Sequence, residues 1–132
     1  MSPIANMLVQ IKNAQAVGKT DVVIPFSNMK LAIATILQEE GFVGSVETKK
    51  SIVRKTELPF LHVALKYHDG IGAINGVRLV SKPSRRMYAH AHELQNIKSG
   101  FGISLVSTSQ GVMTGTKARK LGVGGEVLFE LW

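Results

Sequence analysis

The sequence predicts an α+β protein of two small domains. The N-terminal domain, residues 1–70, has the order α-β-α-β-β, and the C-terminal domain, residues 71–132, is mainly antiparallel β with a short helix. Apolar residues recur at helical spacing in the first part of the chain and alternate with period two from Phe42 onward. A glycine-rich segment from Asp69 to Gly76 lacks apolar periodicity and is the best candidate for a linker.

Two helices and a short strand precede Phe42. The first helix begins at Ser2 and Pro3, because Ser is a favoured N-cap and Pro a favoured first helical residue, and it ends near residues 16–18. A short strand follows at residues 22–25. The second helix begins after Ser27 and ends before Gly41, which suits a left-handed C′ position.

The remaining strands follow from alternation and turn residues. Residues 42–50 and 51–54 are predicted as strands, with a turn at residues 49–51, and the next strand alternates from Leu61 to Tyr67. The predicted elements of the second domain are strands at residues 77–81, 102–107 and 127–132, a turn at 83–84, a short helix or loop at 89–98, and a helix at 115–121. In the last strand, Val127, Phe129 and Leu131 are expected to share one face.

The charge is positive and concentrated in the second domain. The chain has 132 residues, a formal net charge of +7 and no cysteine. Residues 1–70 carry eight basic and six acidic groups, whereas residues 71–132 carry eight basic and three acidic groups. Basic side chains that neutralise phosphates release counterions, so this balance favours a nucleic-acid partner over a surface that is basic only for solubility.

Membrane insertion and phosphate-binding glycine loops are not supported. The stretch from Leu31 to Leu37, apolar apart from Thr35, is far shorter than the roughly 18 residues of a spanning helix. The glycine-rich segment does not fit a dinucleotide fingerprint, because Asn75 stands at a required glycine and a strand follows instead of a helix. We expect no nucleotide cofactor.

Metal and nucleophile patterns are equally weak, and we expect neither a metal nor an enzyme. His90, His92 and Glu93 lack helical i, i+4 spacing and a fourth ligand, so a surface loop is favoured. The segment 107–109 contains hydroxyls but has no nucleophile elbow and no paired base. The absence of cysteine excludes thiol chemistry and is compatible with a reducing cytoplasmic setting.

Two segments have the composition of binding surfaces. Residues 82–88 hold three cations and Tyr88 near a Pro turn, which allows phosphate contact and stacking; a solvated loop is the alternative. Residues 107–114 combine small hydroxyls, an amide and Gly111, which suits close contact with an RNA groove, although an ordinary polar turn has the same composition. Lys117, Arg119 and Lys120 suit either phosphate contact or the C-terminal end of a helix dipole.

Three blocks resemble the bacterial family of small-subunit ribosomal protein eight: VSKPSRRMY at residues 80–88, GISLVSTSQGVMT at 102–114 and ARKLGVGGEV at 118–127. The N-terminal residues PIANMLVQIKNA at 3–14 and LQEEGF at 37–42 also resemble that family, so the likeness spans essentially the whole chain. It implies a cytoplasmic, ribosome-bound structural protein that is needed for assembly of the platform of the small subunit.

The resemblance also implies a partner and contact residues. The partner is the central domain of small-subunit ribosomal RNA, at a stem with a distorted internal loop. Neighbouring ribosomal proteins, proteins five and twelve or seventeen, are further partners of a chain that is monomeric within the ribosome, and regulation of its own operon messenger RNA is a further expectation. Carried over to this sequence, the RNA-binding residues are Ser107, Thr108, Ser109, Gln110, Gly111, Tyr88, Glu126, Lys82, Arg85, Arg86, Lys117, Arg119, Lys120, Ser2, Pro3, Lys12, Asn13 and Lys30.

Some positions depart from the family pattern. Gln10 and Lys12 stand where Arg is usual, which weakens the expected N-terminal contact because Lys lacks the planar guanidinium fork. Gln110 stands where Lys is common, and Gly115 replaces an Asp that would cap the short helix, a role for which Thr114 and Thr116 are candidates. A protein-binding adaptor that uses exposed strand edges and an RNA-acting enzyme remain the alternatives.

Overall fold

The computed structural model describes residues 2–94 and 102–132. These form two compact units, Pro3–Ala73 and Ile74–Trp132. Each unit combines helix with antiparallel sheet, so the predicted α+β class is confirmed. The expected boundary after residue 70 lies shortly before the division at residues 73 and 74.

The first unit packs two helices against a three-stranded antiparallel sheet. Its elements are α1 (Pro3–Ala16), β1 (Asp21–Pro25), α2 (Asn28–Glu39), β2 (Val43–Val53), β3 (Thr56–Leu65), β4 (Tyr67–His68) and β5 (Ile71–Gly72). The strand order is β1-β3-β2, and β4 pairs with β5. Buried residues of α1 and α2, such as Ile11 and Leu37, and the buried sheet residues Ile24, Leu61 and Val63 supply its core.

Helix α2 begins and ends at the residues that the sequence predicts. The Ser27 hydroxyl accepts a hydrogen bond from the Lys30 amide at 3.1 Å, which satisfies one free N–H of the first turn. Gly41 has φ +82°, and the amides of Gly41 and Phe42 donate to the carbonyls of Gln38 and Leu37. This Schellman motif satisfies the terminal carbonyls and requires a left-handed residue that Gly adopts without strain.

The predicted turn at residues 49–51 is wrong. β2 continues without interruption to Val53, and the turn consists of Arg54 and Lys55. The register is set by inward-facing pairs such as Val46↔Val63, since a shift of one residue would turn the buried side chains to solvent. This register places the turn at residues 54–55, although neither residue is a turn former.

The predicted linker at residues 69–76 contains a tight hairpin. β4 and β5 are joined by Asp69 and Gly70, which have φ +52° and +79°. Positive φ at both central residues defines a type I′ turn, for which Asp-Gly is a preferred pair. The Gly-rich composition of this segment therefore reflects a hairpin as well as the passage between the two units.

The second unit is built on one antiparallel sheet. Its elements are β6 (Val77–Leu79), β7 (Tyr88–Ala89), a 3₁₀ turn (Ala91–Glu93), β8 (Ile103–Thr108), β9 (Gly111–Thr114), α3 (Gly115–Leu121) and β10 (Gly125–Leu131). The strand order is β6-β10-β8-β9, with β7 also paired to β10. β9 was expected only as a polar turn region. Of the short helix or loop expected at residues 89–98, residues 95–98 lie outside the described part.

The expectation that Val127, Phe129 and Leu131 share a face is wrong for Val127. Val127 pairs with Val106, whereas Phe129 pairs with Leu105, so the register shifts between them. Consecutive residues of β8 project to opposite faces, and the two β10 residues therefore do so as well. Val127 packs on a cluster of Leu94, Val106, Met113 and Ala118, which fixes α3 on that face of the sheet.

Candidate nucleic-acid interface

A line of three residues crosses the second sheet. Tyr88 of β7 pairs with Glu126 of β10, and Glu126 pairs with Ser107 of β8. Directly paired residues of antiparallel strands project to the same face, about 5 Å apart. The three residues, hereafter the polar row, thus join two segments that the sequence singled out separately. Tyr88 is 72% exposed, so one face of its ring is free to stack.

Close strand contact at the polar row depends on two glycines. A Cβ atom on Gly125 would overlap the carbonyl oxygen of Ser107, and one on Gly124 would overlap that of Ala89. β7 and β8 can therefore approach β10 here only because both residues lack a side chain. Nothing in the local sequence around these two glycines indicates which strands lie beside them.

The β8–β9 turn continues the polar row and is braced from within. The Thr108 hydroxyl donates to the Gly111 carbonyl at 2.8 Å and accepts from the Gln110 amide at 3.0 Å. Thr108, predicted as a contact residue, therefore uses its hydroxyl to hold the turn. Ser109 and Gln110 are exposed at its tip, and Gly111 has φ +109°. The Ser109 hydroxyl and the Gln110 side chain are left available for a ligand.

A basic loop of residues 82–86 interrupts the edge strand beside β10. β6 and β7 pair with successive parts of β10, and the loop between them is closed where the Met87 amide donates to Ser81 Oγ at 2.9 Å. Two backbone hydrogen bonds of 2.9 Å between Lys82 and Arg85 form the predicted turn. Ser81 is thus a loop-closing residue, although no local pattern in the sequence distinguishes it from other serines.

Arg86 connects the basic loop to the polar row. Its Nη1 lies 3.2 Å from Oε2 of Glu126, whose side chain is only 17% exposed. Glu126 is thus an orienting group for Arg86, and Arg86 is already neutralised within the protein. Lys82 and Arg85 are exposed and have no acidic partner in the described ranges. These two cations are available for an external anion.

The cations of α3 lie on the other face of the sheet. Ala118 of α3 packs against Val106, the neighbour of Ser107 on β8, so α3 is opposite the polar row. The predicted Arg119 contact is used internally in part, because its Nη1 donates to the Leu94 carbonyl at 3.4 Å. Lys117 and Lys120 are exposed. The six predicted cations of this unit are therefore divided between two faces.

The capping residue of α3 is Thr114. Its hydroxyl accepts a hydrogen bond from the Lys117 amide at 3.2 Å. The loss of an acidic cap at Gly115 is thus compensated by the preceding residue. Gly115 itself lies against Ser104 Oγ, where a Cβ atom would overlap the hydroxyl. With the Ser104 hydroxyl in this position, only a residue without a side chain fits here unless that hydroxyl moves.

The predicted N-terminal contact residues belong to helix α1 and the start of α2. Pro3, Lys12 and Asn13 lie on α1, immediately after Ser2; Pro3 and Asn13 are exposed and Lys12 is half-buried. Lys30 lies in the first turn of α2, and its ammonium group donates a hydrogen bond to the Pro25 carbonyl at 3.4 Å. Lys30 therefore lies on a different helix from Pro3, Lys12 and Asn13.

The histidine segment does not assemble a metal site. The His90 and His92 rings stack with centroids 5.7 Å apart, and Glu93 accepts a hydrogen bond from the His90 amide at 2.8 Å. Across residues 2–94 and 102–132, no three His, Asp or Glu side chains are grouped closely enough to bind a metal ion. In the same ranges, no helix has the length and apolar character needed to cross a membrane.

Comparisons with known proteins identify the family to which this chain belongs. The family model described as ribosomal protein S8 matches residues 2–132. Small ribosomal subunit protein uS8 of Dichelobacter nodosus is 44% identical over 97% of this chain and 95% of its own length. The uS8 protein of Bordetella avium is 47% identical over 96% of this chain and 93% of its own length. The chain therefore belongs to the ribosomal protein S8 family and is a structural, non-enzymatic protein of the small ribosomal subunit.

Proposed function

We propose that this protein binds the central domain of small-subunit ribosomal RNA directly and early, and that the platform of the subunit needs it for assembly. The polar row is the single observation that carries the proposal. It brings Tyr88, Glu126 and Ser107 onto one face, next to an exposed turn whose tip carries a hydroxyl and an amide. Such short uncharged groups suit close contact with an irregular RNA stem.

The polar row and the β8–β9 turn select the RNA shape. Ser107, Ser109 and Gln110 offer donors and acceptors to 2′-hydroxyls and base edges, while Thr108 and Gly111 keep the turn in one conformation. A preformed turn loses little conformational entropy on binding, so its contacts contribute more to affinity. Tyr88 offers an exposed ring on which a displaced base or a ribose can stack.

The cations attract the RNA without reading its shape. Lys82 and Arg85 lie in the basic loop, and Lys117 and Lys120 lie on α3. Each phosphate contact that they make strengthens binding at low salt and makes the affinity fall more steeply as the salt concentration rises. Arg86 contributes mainly through its ion pair with Glu126, so its removal changes the position of neighbouring groups more than the long-range attraction. Arg119 also donates to the neutral Leu94 carbonyl, but it keeps its full charge and adds to the attraction.

The remaining family expectations belong to the same proposal. Ser2, Pro3, Lys12, Asn13 and Lys30 form a second RNA-contacting surface, with Lys12 a weaker phosphate ligand than Arg. In the ribosome the protein acts as a monomer beside ribosomal proteins five and twelve or seventeen. It resides in the cytoplasm and regulates translation of its own operon messenger RNA. Family membership supports these assignments.

The test is a salt-titrated binding assay against full-length small-subunit ribosomal RNA, with footprinting of the protected stem. Wild-type protein is expected to protect one irregular stem. Ser109→Ala weakens binding to that stem much more than binding to a plain duplex, whereas Arg85→Ala weakens both and flattens the salt dependence. Binding that is insensitive to salt and protects no stem would contradict the proposal and favour the protein-binding adaptor.

A further inference from the structure

The β2–β3 hairpin extends beyond the sheet of the first unit as a bare ribbon. β1 pairs with β3 only between Phe60 and Ala64, whereas β2 pairs with β3 as far as Val53↔Thr56. Residues 50–58, hereafter the distal ribbon, are all exposed. Four cross-strand pairs of β2 and β3 lie beyond the end of β1. At about 3.4 Å per residue, they extend roughly 14 Å. The distal ribbon buries no side chain, so the core does not explain it.

The turn of the distal ribbon is not optimised for folding. Arg54 has φ +51° and Lys55 has φ +66°, the left-handed values of a type I′ turn. A side chain in this region costs about 1–2 kcal/mol per residue, and Asn-Gly would avoid most of that cost. Two cations occupy the turn of the distal ribbon, where an uncharged pair such as Asn-Gly would be more stable. Residues held in strained backbone often serve a function other than folding.

The cations of the distal ribbon have no acidic partner. Lys49, just before the ribbon, pairs with Glu47 at 3.3 Å, but Lys50, Arg54 and Lys55 form no ion pair with any described residue. The ribbon contains these three cations and one acidic residue, Glu57. The positive charge of the ribbon is therefore complementary to a polyanion. Its side chains are exposed to solvent.

We propose that the distal ribbon is a further RNA-binding arm that contacts phosphates through Lys50, Arg54 and Lys55. The inference rests on the proposed binding of ribosomal RNA and adds a contact remote in sequence from the β8–β9 turn. Ile52, which is 79% exposed on the face of Lys50, would lie against ribose carbons. A two-stranded ribbon is narrow enough to follow the wide, shallow minor groove of A-form RNA.

An RNA backbone fits the distal ribbon better than a protein surface does. Ile52 is on one face of the ribbon, whereas the less exposed Val53 and Leu58 are on the other, because their cross-strand rows alternate. No continuous apolar patch of the size found in stable protein interfaces results. Separated cations with isolated aliphatic groups are the composition expected of a surface that contacts phosphate and sugar.

The first test neutralises the tip without weakening the turn. Arg54→Asn/Lys55→Gly is expected to bind full-length small-subunit ribosomal RNA about tenfold more weakly at 0.15 M salt, with a salt slope lower by about 1.5–2. The thermal midpoint stays equal to or above that of the wild type, because Asn-Gly suits the turn. The matched control Arg54→Lys/Lys55→Arg keeps both charges and is expected to bind within about twofold of the wild type.

Equal affinity and equal salt slope for the neutral variant and the wild type would overturn the inference and point to a protein partner for the ribbon. A wild type that does not bind this RNA would instead contradict the proposed function itself. A second readout uses the absence of cysteine: a cleavage reagent on Ser51→Cys is expected to cut one RNA segment, and the cuts disappear in the neutral background. Cleavage that is absent, or that persists in that background, would also overturn the inference.

Discussion

Two hairpin turns of this protein, one in each unit, differ in charge and in how they are supported. The β8–β9 turn is short and uncharged, and its Thr108 hydroxyl holds both sides of the turn together in a five-stranded sheet. The β2–β3 turn is cationic and lies at the end of an unsupported ribbon. The first is built to keep exposed groups in fixed positions, and the second is built to carry charge away from the core. In the proposed function, the β8–β9 turn selects the RNA shape, and the β2–β3 turn adds electrostatic attraction to that of the basic loop and α3.

The largest expected effect comes from the strand contact that aligns the polar row. Gly125→Ala would force its Cβ into the Ser107 carbonyl, and it is expected to lower the free energy of unfolding by about 3 kcal/mol. RNA affinity for the irregular stem falls by about tenfold or more. Denaturant unfolding and stem binding measure the two effects. Gly122→Ala is the matched control, since its Cβ meets no atom within 4 Å and only left-handed backbone strain of about 1–2 kcal/mol is added. Equal stability losses would contradict the packing role of Gly125.

A second pair of substitutions distinguishes the residue that stabilises the β8–β9 turn from the residue that is proposed to contact RNA. Thr108→Val removes two hydrogen bonds and is expected to lower both stability, by about 1 kcal/mol, and stem affinity. Ser109→Ala lowers stem affinity by about tenfold and leaves stability unchanged, because Ser109 is exposed at the tip. Thermal unfolding and stem binding are measured together. The assignment is wrong if Ser109→Ala destabilises the protein as much as Thr108→Val does.

Substitution of the α3 cap tests whether the sheet face opposite the polar row contributes to RNA binding. Thr114→Ala is expected to lower the free energy of unfolding by about 1 kcal/mol, while Thr114→Ser keeps the cap and most of the stability. Stem affinity changes by less than about threefold, since α3 lies on the other face. A tenfold loss of affinity for Thr114→Ala would place α3 within the selective surface.

The smallest effect is a gain in stability. Arg54→Asn/Lys55→Gly relieves two left-handed residues and is expected to raise the free energy of unfolding by about 1 kcal/mol, less than the strain that it removes, because the exposed distal ribbon can open locally without global unfolding. Hydrogen exchange of the amides between Lys50 and Leu58 reports the same gain locally. Faster exchange in the variant would show that the wild-type tip is not strained.

Local signals predicted the parts of this fold that depend on neighbouring residues. Ser27 and Gly41 mark the ends of α2, and the Lys82–Arg85 turn follows from Pro83. The α+β class follows from the change of hydrophobic period. The same reasoning failed for the 49–51 turn, because the register of β2 is decided by its buried partners on β3 and not by the polarity of Lys-Lys-Ser.

The candidate site was predictable as a set of segments but not as a surface. Tyr88, Ser107 and Glu126 are far apart in sequence, and only the pairing of β7, β10 and β8 aligns them. The internal roles of Arg86, Thr108 and Arg119 depend on contacts across the fold, so their residue types alone suggested ligand contacts. The family resemblance supplied the partner, which composition could define only as a polyanion.

The central claim is that uncharged groups of the β8–β9 turn select the RNA while cations only attract it. Its most direct test is the ratio of affinities for the irregular stem and for a plain duplex, measured over a range of salt concentrations for wild type and Ser109→Ala. The account predicts that Ser109→Ala lowers this ratio about tenfold at every salt concentration without changing the salt slope. An unchanged ratio, or a loss that appears as a reduced salt slope, would contradict it.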